Sequence, residues 1–151
     1  MAIHRLQYCV YKCPRGDENY RALQLPEPIP YGEFLMRSES GVYLALMNAL
    51  EDPVFLQVNS SVPRSSKWSV RRRADVVQAI FAHTCDPAPD GSDYVVDGDV
   101  KCPRCGVVAV HWQRVYEFTD VELPVITHVR WLSYSVSGRQ DRMIGYLLQM
   151  S

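Results

Sequence analysis

Lys101-Cys102-Pro103-Arg104-Cys105-Gly106 is the stretch that decides how this chain is held together. Two thiols three residues apart on a turn, with Pro between them and Gly after them, supply half of a tetrahedral metal site. A lysine before the pair and free backbone N–H groups after it both stabilise metal-bound thiolates. A near-copy lies at the other end of the chain, Lys12-Cys13-Pro14-Arg15-Gly16-Asp17, where Gly16 stands in place of the second cysteine and Cys9 lies just upstream.

Zinc is the ion this donor set favours, and the expected ligands are Cys9, Cys13, Cys102 and Cys105. Side chains at i and i+4 of a flat strand share a face but lie about 13 Å apart. The chain must therefore bend between Cys9 and Cys13 if both are to touch one ion. Cys85 or His83 is the alternative to Cys9. Cys85 reads as a thiol buried at a helix end, and His83 as a solvated histidine at the negative end of the same helix.

The two cysteine turns resemble the zinc-ribbon family, over Cys9 to Gly16 and Lys101 to Gly106 only. The resemblance implies a structural zinc held by about residues 8–17 and 101–107. It departs from the family by the cysteine missing at Gly16. The segment between the turns is also far longer than in a plain ribbon, so it has to be a domain in its own right.

A chain of 151 residues, 47% apolar and 22% charged, fits one globular domain spanning 1–151. Its net charge of -1 gives no overall field that selects nucleic acid or anionic lipid. No membrane partner is expected, because no apolar run reaches spanning length and the first residues lack the apolar core of a secretion signal. Cytoplasm is the expected location, where five cysteines read as ligands or buried thiols and not as disulfides.

The expected fold class is α+β, a mainly antiparallel sheet packed against two helices and stapled by the metal. His4 to Lys12, Tyr20 to Leu25, Val54 to Val58, Val107 to Phe118 and Leu123 to Trp131 read as strands. Gly41 to Leu50 suits either strand or helix. The clearest helix follows Ser69, an N-cap, with Val70, Ala74, Val77 and Phe81 on one stripe widened by Val76 and Ile80, and it ends by Cys85 ahead of Pro87. A terminal helix starts at Ser137, with Gln140 completing a capping box and Met143, Ile144, Leu147 and Leu148 facing the core. Asp86 to Val100 reads as a loop whose five aspartates, Asp86, Asp90, Asp93, Asp97 and Asp99, are solvated. They fit a calcium loop poorly, with Ala88 and two prolines intruding.

Catalytic patterns are absent. A zinc deaminase needs a Glu where His83-Thr84-Cys85 has Cys, and Lys101 replaces the Pro before Cys102. There is no H-E-x-x-H, no G-x-S-x-G and no glycine-rich phosphate loop. His111, His128, Trp112 and Trp131 read as core or surface residues.

What remains is a basic cluster of Arg64, Lys67, Trp68, Arg71, Arg72 and Arg73. Three arginines in the first turn of a helix oppose its dipole, each at a cost of up to about 1 kcal/mol when exposed. Such a placement invites a functional explanation. The leading expectation is a non-enzymatic module that binds another, acidic protein, such as an adaptor or an inhibitor of a partner enzyme in the manner of a bacterial immunity protein. The rival is nucleic-acid binding through the same residues.

Overall fold

The computed structural model describes residues 2–96 and 99–150. Asp97 and Gly98, assigned above to the acidic loop, lie outside the described residues. Strand β1, Ala2–Lys12, runs down the middle of a three-stranded sheet between β2, Asn19–Gln24, and β6, Val110–Leu123, antiparallel to both. Its sequence is apolar on consecutive residues because its two halves are covered on opposite faces. Leu6 packs with Leu25, Leu35, Leu46 and Leu123, whereas Cys9 and Tyr11, on the other side of the pleat, pack with Val100.

A second antiparallel sheet has the order β4-β3-β5, formed by β3, Glu33–Ser38, β4, Leu44–Asn48, and β5, Tyr94–Val96. The main core lies between this sheet and two helices, α1, Pro53–Ser61, and α2, Val70–Thr84, where Met36, Met47, Val54, Val58, Ile80 and Phe81 are fully enclosed. The two sheets meet where the chain leaves β6. Leu46 donates to the Pro124 carbonyl and accepts from the Ile126 N–H, both at 2.9 Å. Two further helices, α3, Val129–Ser133, and α4, Val136–Met150, close the chain, giving four among the described residues where two were expected.

The α+β class stands, and several elements differ from expectation for local reasons. Val54–Val58 is helix, not strand. Asp52 accepts from the N–H groups of Val54 and Phe55 at 2.9 and 3.0 Å, and Pro53 occupies the first helical position. Leu123 to Trp131 is likewise not a strand. The Asp86 carboxylate accepts from the N–H groups of Val129 and Arg130, at 2.8 and 2.9 Å, and so caps α3 from the far end of α2. Ser69 does cap α2, accepting from Arg72 N–H at 3.0 Å, but the buried stripe is Val76, Val77, Ile80, Phe81 and Thr84, with Val70 and Ala74 left outside. In α4 the cap is Ser135, which accepts from Gly138 N–H at 3.0 Å, so the Ser137 capping box is not used. Met143 and Leu147 pack inward with Tyr146 and Met150, while Ile144 and Leu148 are exposed.

Candidate metal centre

Both cysteine turns are hairpin ends. Residues 13–18 close the β1–β2 hairpin through Cys13 N–H to Glu18 O, at 3.2 Å. The second turn is closed by Cys102 N–H to Val107 O and Gly106 N–H to Cys102 O, at 2.8 and 2.9 Å. Gly106 has φ +72°, a left-handed conformation that the tight turn requires and that favours glycine. An ion pair between Arg104 and Glu18 joins the two hairpin tips.

This arrangement brings Cys13, Cys102 and Cys105 together, with their sulfurs all within 4.8 Å of one another and the Cys13 and Cys105 sulfurs 3.5 Å apart. Tetrahedral thiolates about 2.3 Å from a zinc ion would sit about 3.8 Å from each other, close to this spacing. Backbone N–H groups of Cys105 and Arg104 hold the Cys102 thiol below its usual pKa. Cys13 receives the Arg15 N–H, but burial and the neighbouring thiols outweigh it and raise its pKa. Mutual repulsion of this kind is what a bound cation relieves.

A further observation fits a cation here. The Tyr20 hydroxyl is buried and has no hydrogen-bond partner, and burial followed by the charges of Cys102, Cys13 and Cys105 raises its pKa. A bound cation would offset the thiolate charges that act on this hydroxyl. Nothing in the sequence pattern marked Tyr20.

Cys9 is not part of the cluster. Its strand stays paired, Cys9 opposite Ala22 on one side and Arg114 on the other, and burial raises its thiol pKa. Cys85 is a core thiol as expected, donating to the Phe81 carbonyl at 3.3 Å with its pKa pushed up to about 12, chiefly by burial. Cys85→Ser is therefore expected to leave metal content unchanged in elemental analysis; loss of the ion would place Cys85 in the site. His83 is exposed and stacks on Tyr146, ring centroids 4.5 Å apart.

The arginine cluster divides. Arg73 donates to Asn59 Oδ1 at 3.0 Å and to the Val62 carbonyl at 2.9 Å, at the C-terminal end of α1. Arg72 donates to the Met150 carbonyl at 3.3 Å, at the end of α4. Both cations thus satisfy helix C-termini, which offsets their unfavourable place in the first turn of α2. These two side chains therefore have a structural role, whereas the expectation concerned a partner. Arg64, Lys67 and Arg71 are exposed, and their side chains have no hydrogen bond or ion pair among the described residues. Beside them an open cleft of about 680 Å³ is lined by Tyr31, Leu50, Leu56, Arg64, Trp68 and Val70 among others. Trp68 is half-buried against the main core, and Tyr31, Leu50, Leu56 and Val70 are exposed.

One constellation had no signal in the sequence. His128 Nε2 lies 2.7 Å from Asp52 Oδ2, and its Nδ1 lies 3.0 Å from the Thr84 carbonyl. Both nitrogens face acceptors, an arrangement that favours the doubly protonated ring. The pair is buried, and the Thr84 hydroxyl, 3.2 Å from Nδ1, and the Cys85 thiol both donate to the Phe81 carbonyl. It joins the start of α1 to the end of α2. No family model, curated protein or solved structure matches the chain. The functional reading therefore rests on these residues alone.

Proposed function

We propose that the chain is a cytosolic, non-enzymatic protein-binding module, stapled by a structural zinc on Cys13, Cys102 and Cys105, that receives an acidic segment with apolar side chains from a partner protein in the cleft beside α2. The observation that carries it is the division of the basic cluster. With Arg72 and Arg73 engaged at helix ends, Arg64 lines the cleft beside exposed apolar side chains, Lys67 and Arg71 are its exposed neighbours in sequence, and the three side chains have no counter-charge among the described residues. Unpaired cations rimming an apolar surface complement a segment of opposite charge. Nucleic acid is the weaker reading, because only three free cations remain and the net charge is -1.

The test is a charge reversal. Arg64→Glu, Lys67→Glu and Arg71→Glu together should abolish recovery of the wild-type partner from the native cell while leaving the melting temperature nearly unchanged, since exposed substitutions stay within about 0.5 kcal/mol each. Arg73→Ala should instead lower stability. Undiminished capture of the same partner by the triple variant would remove the cleft from consideration. Steeply salt-dependent DNA or RNA binding that the triple variant loses would assign the surface to nucleic acid.

A further inference from the structure

The three-thiol cluster lacks the fourth donor that a closed structural zinc site has. Resting on the metal reading above, we propose that the fourth ligand is the imidazole of His111, so that the site is Cys13, Cys102, Cys105 and His111.

Strand register carries this assignment. Val10 pairs with Gln113, and an unbroken ladder would then place Trp112 opposite Tyr11. Instead the register shifts between Val10 and Tyr11, and His111 takes that place. Irregularities of this kind re-aim side chains. The His111 and Tyr11 rings meet edge to face, centroids 5.3 Å apart, so both lie on one face of the sheet. Cys13 is two residues beyond Tyr11 and one past the end of β1, and the strand's alternation carried one residue further puts it on that face. His111 is thus the diagonal cross-strand neighbour of Cys13, a relation that spans about 7–8 Å between Cα atoms and lies within reach of a long side chain. Cys13, alone of the three thiols, lines the same surface groove as His111, of about 470 Å³. Tyr20 pairs with Tyr11 from the opposite strand, so His111 and Tyr20 flank the thiols from either side.

The other histidines are placed elsewhere. His128 has both nitrogens committed to Asp52 and Thr84. His83 stacks on Tyr146. His4 lies nine residues back along β1 from Cys13, about 30 Å at about 3.3 Å per residue. Glu18 is paired with Arg104, and Asp17 does not line the groove. Neither nitrogen of His111 has a hydrogen-bond partner among the described residues, and its ring is exposed. Ligation requires the ring to turn from the edge of Tyr11 toward Cys13, with no backbone change demanded by the register.

X-ray absorption at the zinc edge of the full chain tests this. Wild type should show three sulfurs and one nitrogen with the outer-shell scattering of an imidazole. His111→Ala should lose that signature and bind zinc more weakly by over about tenfold, the lower end of what losing even an outer-shell partner costs. His111→Cys should restore tight binding with four sulfurs, which guards against a His111→Ala chain that simply fails to fold. Imidazole scattering that persists in His111→Ala, or is missing from zinc-loaded wild type, overturns the assignment and leaves the three-thiol site standing. Wild-type protein that takes up no stoichiometric zinc overturns the metal reading itself, and this inference with it.

Discussion

Cys102→Ser should purify without stoichiometric zinc and melt at least about 10 °C below the wild type. The size follows from how the site is built. Cys13 and Cys102 are far apart in sequence, and an ion held by them would tie the β1–β2 hairpin tip to the hairpin that leads into β6. The apolar cluster beneath them is small, comprising the buried Cys9, Tyr11 and Val100 with a few half-buried neighbours. With so little buried area, this end of the sheet would depend on the ion. Structural zinc contributes about 10 kcal/mol or more to folding in zinc-finger peptides. If even half of that is realised here, about 5 kcal/mol at about 2–4 °C per kcal/mol gives the expected drop. Chelator treatment of wild type should reproduce it. Cys9→Ser is the matched control. It places a hydroxyl in a buried apolar position, costing about 1–3 kcal/mol, and keeps the zinc. Equal zinc content and melting in Cys102→Ser and wild type would refute the staple, and loss of zinc in Cys9→Ser would return Cys9 to the ligand set.

How much of this was legible depended on the range of the interaction. The Cys102–Cys105 turn is local chemistry, and its spacing identifies it without knowledge of the fold. The expectation for Cys9 already held its own correction. A strand separates i and i+4 by about 13 Å, and β1 stays a paired strand through Cys9. In α1 the run Val54-Phe55-Leu56 has strand-favouring composition, but Asp52-Pro53 is a helix start, and tertiary packing of Val54 and Val58 decided the outcome. Arg72 and Arg73 looked costly because only their own helix was in view. The C-termini they satisfy belong to α1 and α4, one of them 78 residues away. Tyr20, His111 and His128 carry no motif at all. Their partners are fixed by strand register and by packing between elements, and single-sequence periodicity contains neither.

His128→Gln and Asp52→Ala should each destabilise the chain by about 3–5 kcal/mol, the cost of removing one member of a buried ion pair, and Gln should also flatten the alkaline limb of stability. Burial alone would lower the pKa of His128, but the Asp52 carboxylate and the Thr84 carbonyl override it and the net shift is upward. Burial alone would raise that of Asp52, yet His128 and the N–H groups of Phe55 and Val54 hold it below 3.8. A raised histidine contributes stability that is complete below its unfolded value of about 6.5 and disappears as pH climbs through the folded value. A depressed carboxylate contributes stability that is complete above its unfolded value of about 3.9 and disappears as pH falls through the folded value. Together they place the maximum contribution between about pH 4 and 6.5. Urea unfolding of zinc-loaded protein from pH 5 to 8 reads this directly. Thiols elsewhere also titrate toward the alkaline end, so the difference between wild type and His128→Gln is the informative quantity. That difference should shrink as pH rises. A gap that stays constant or widens would show that the ring is neutral in the fold and that Asp52 contributes only as the cap of α1.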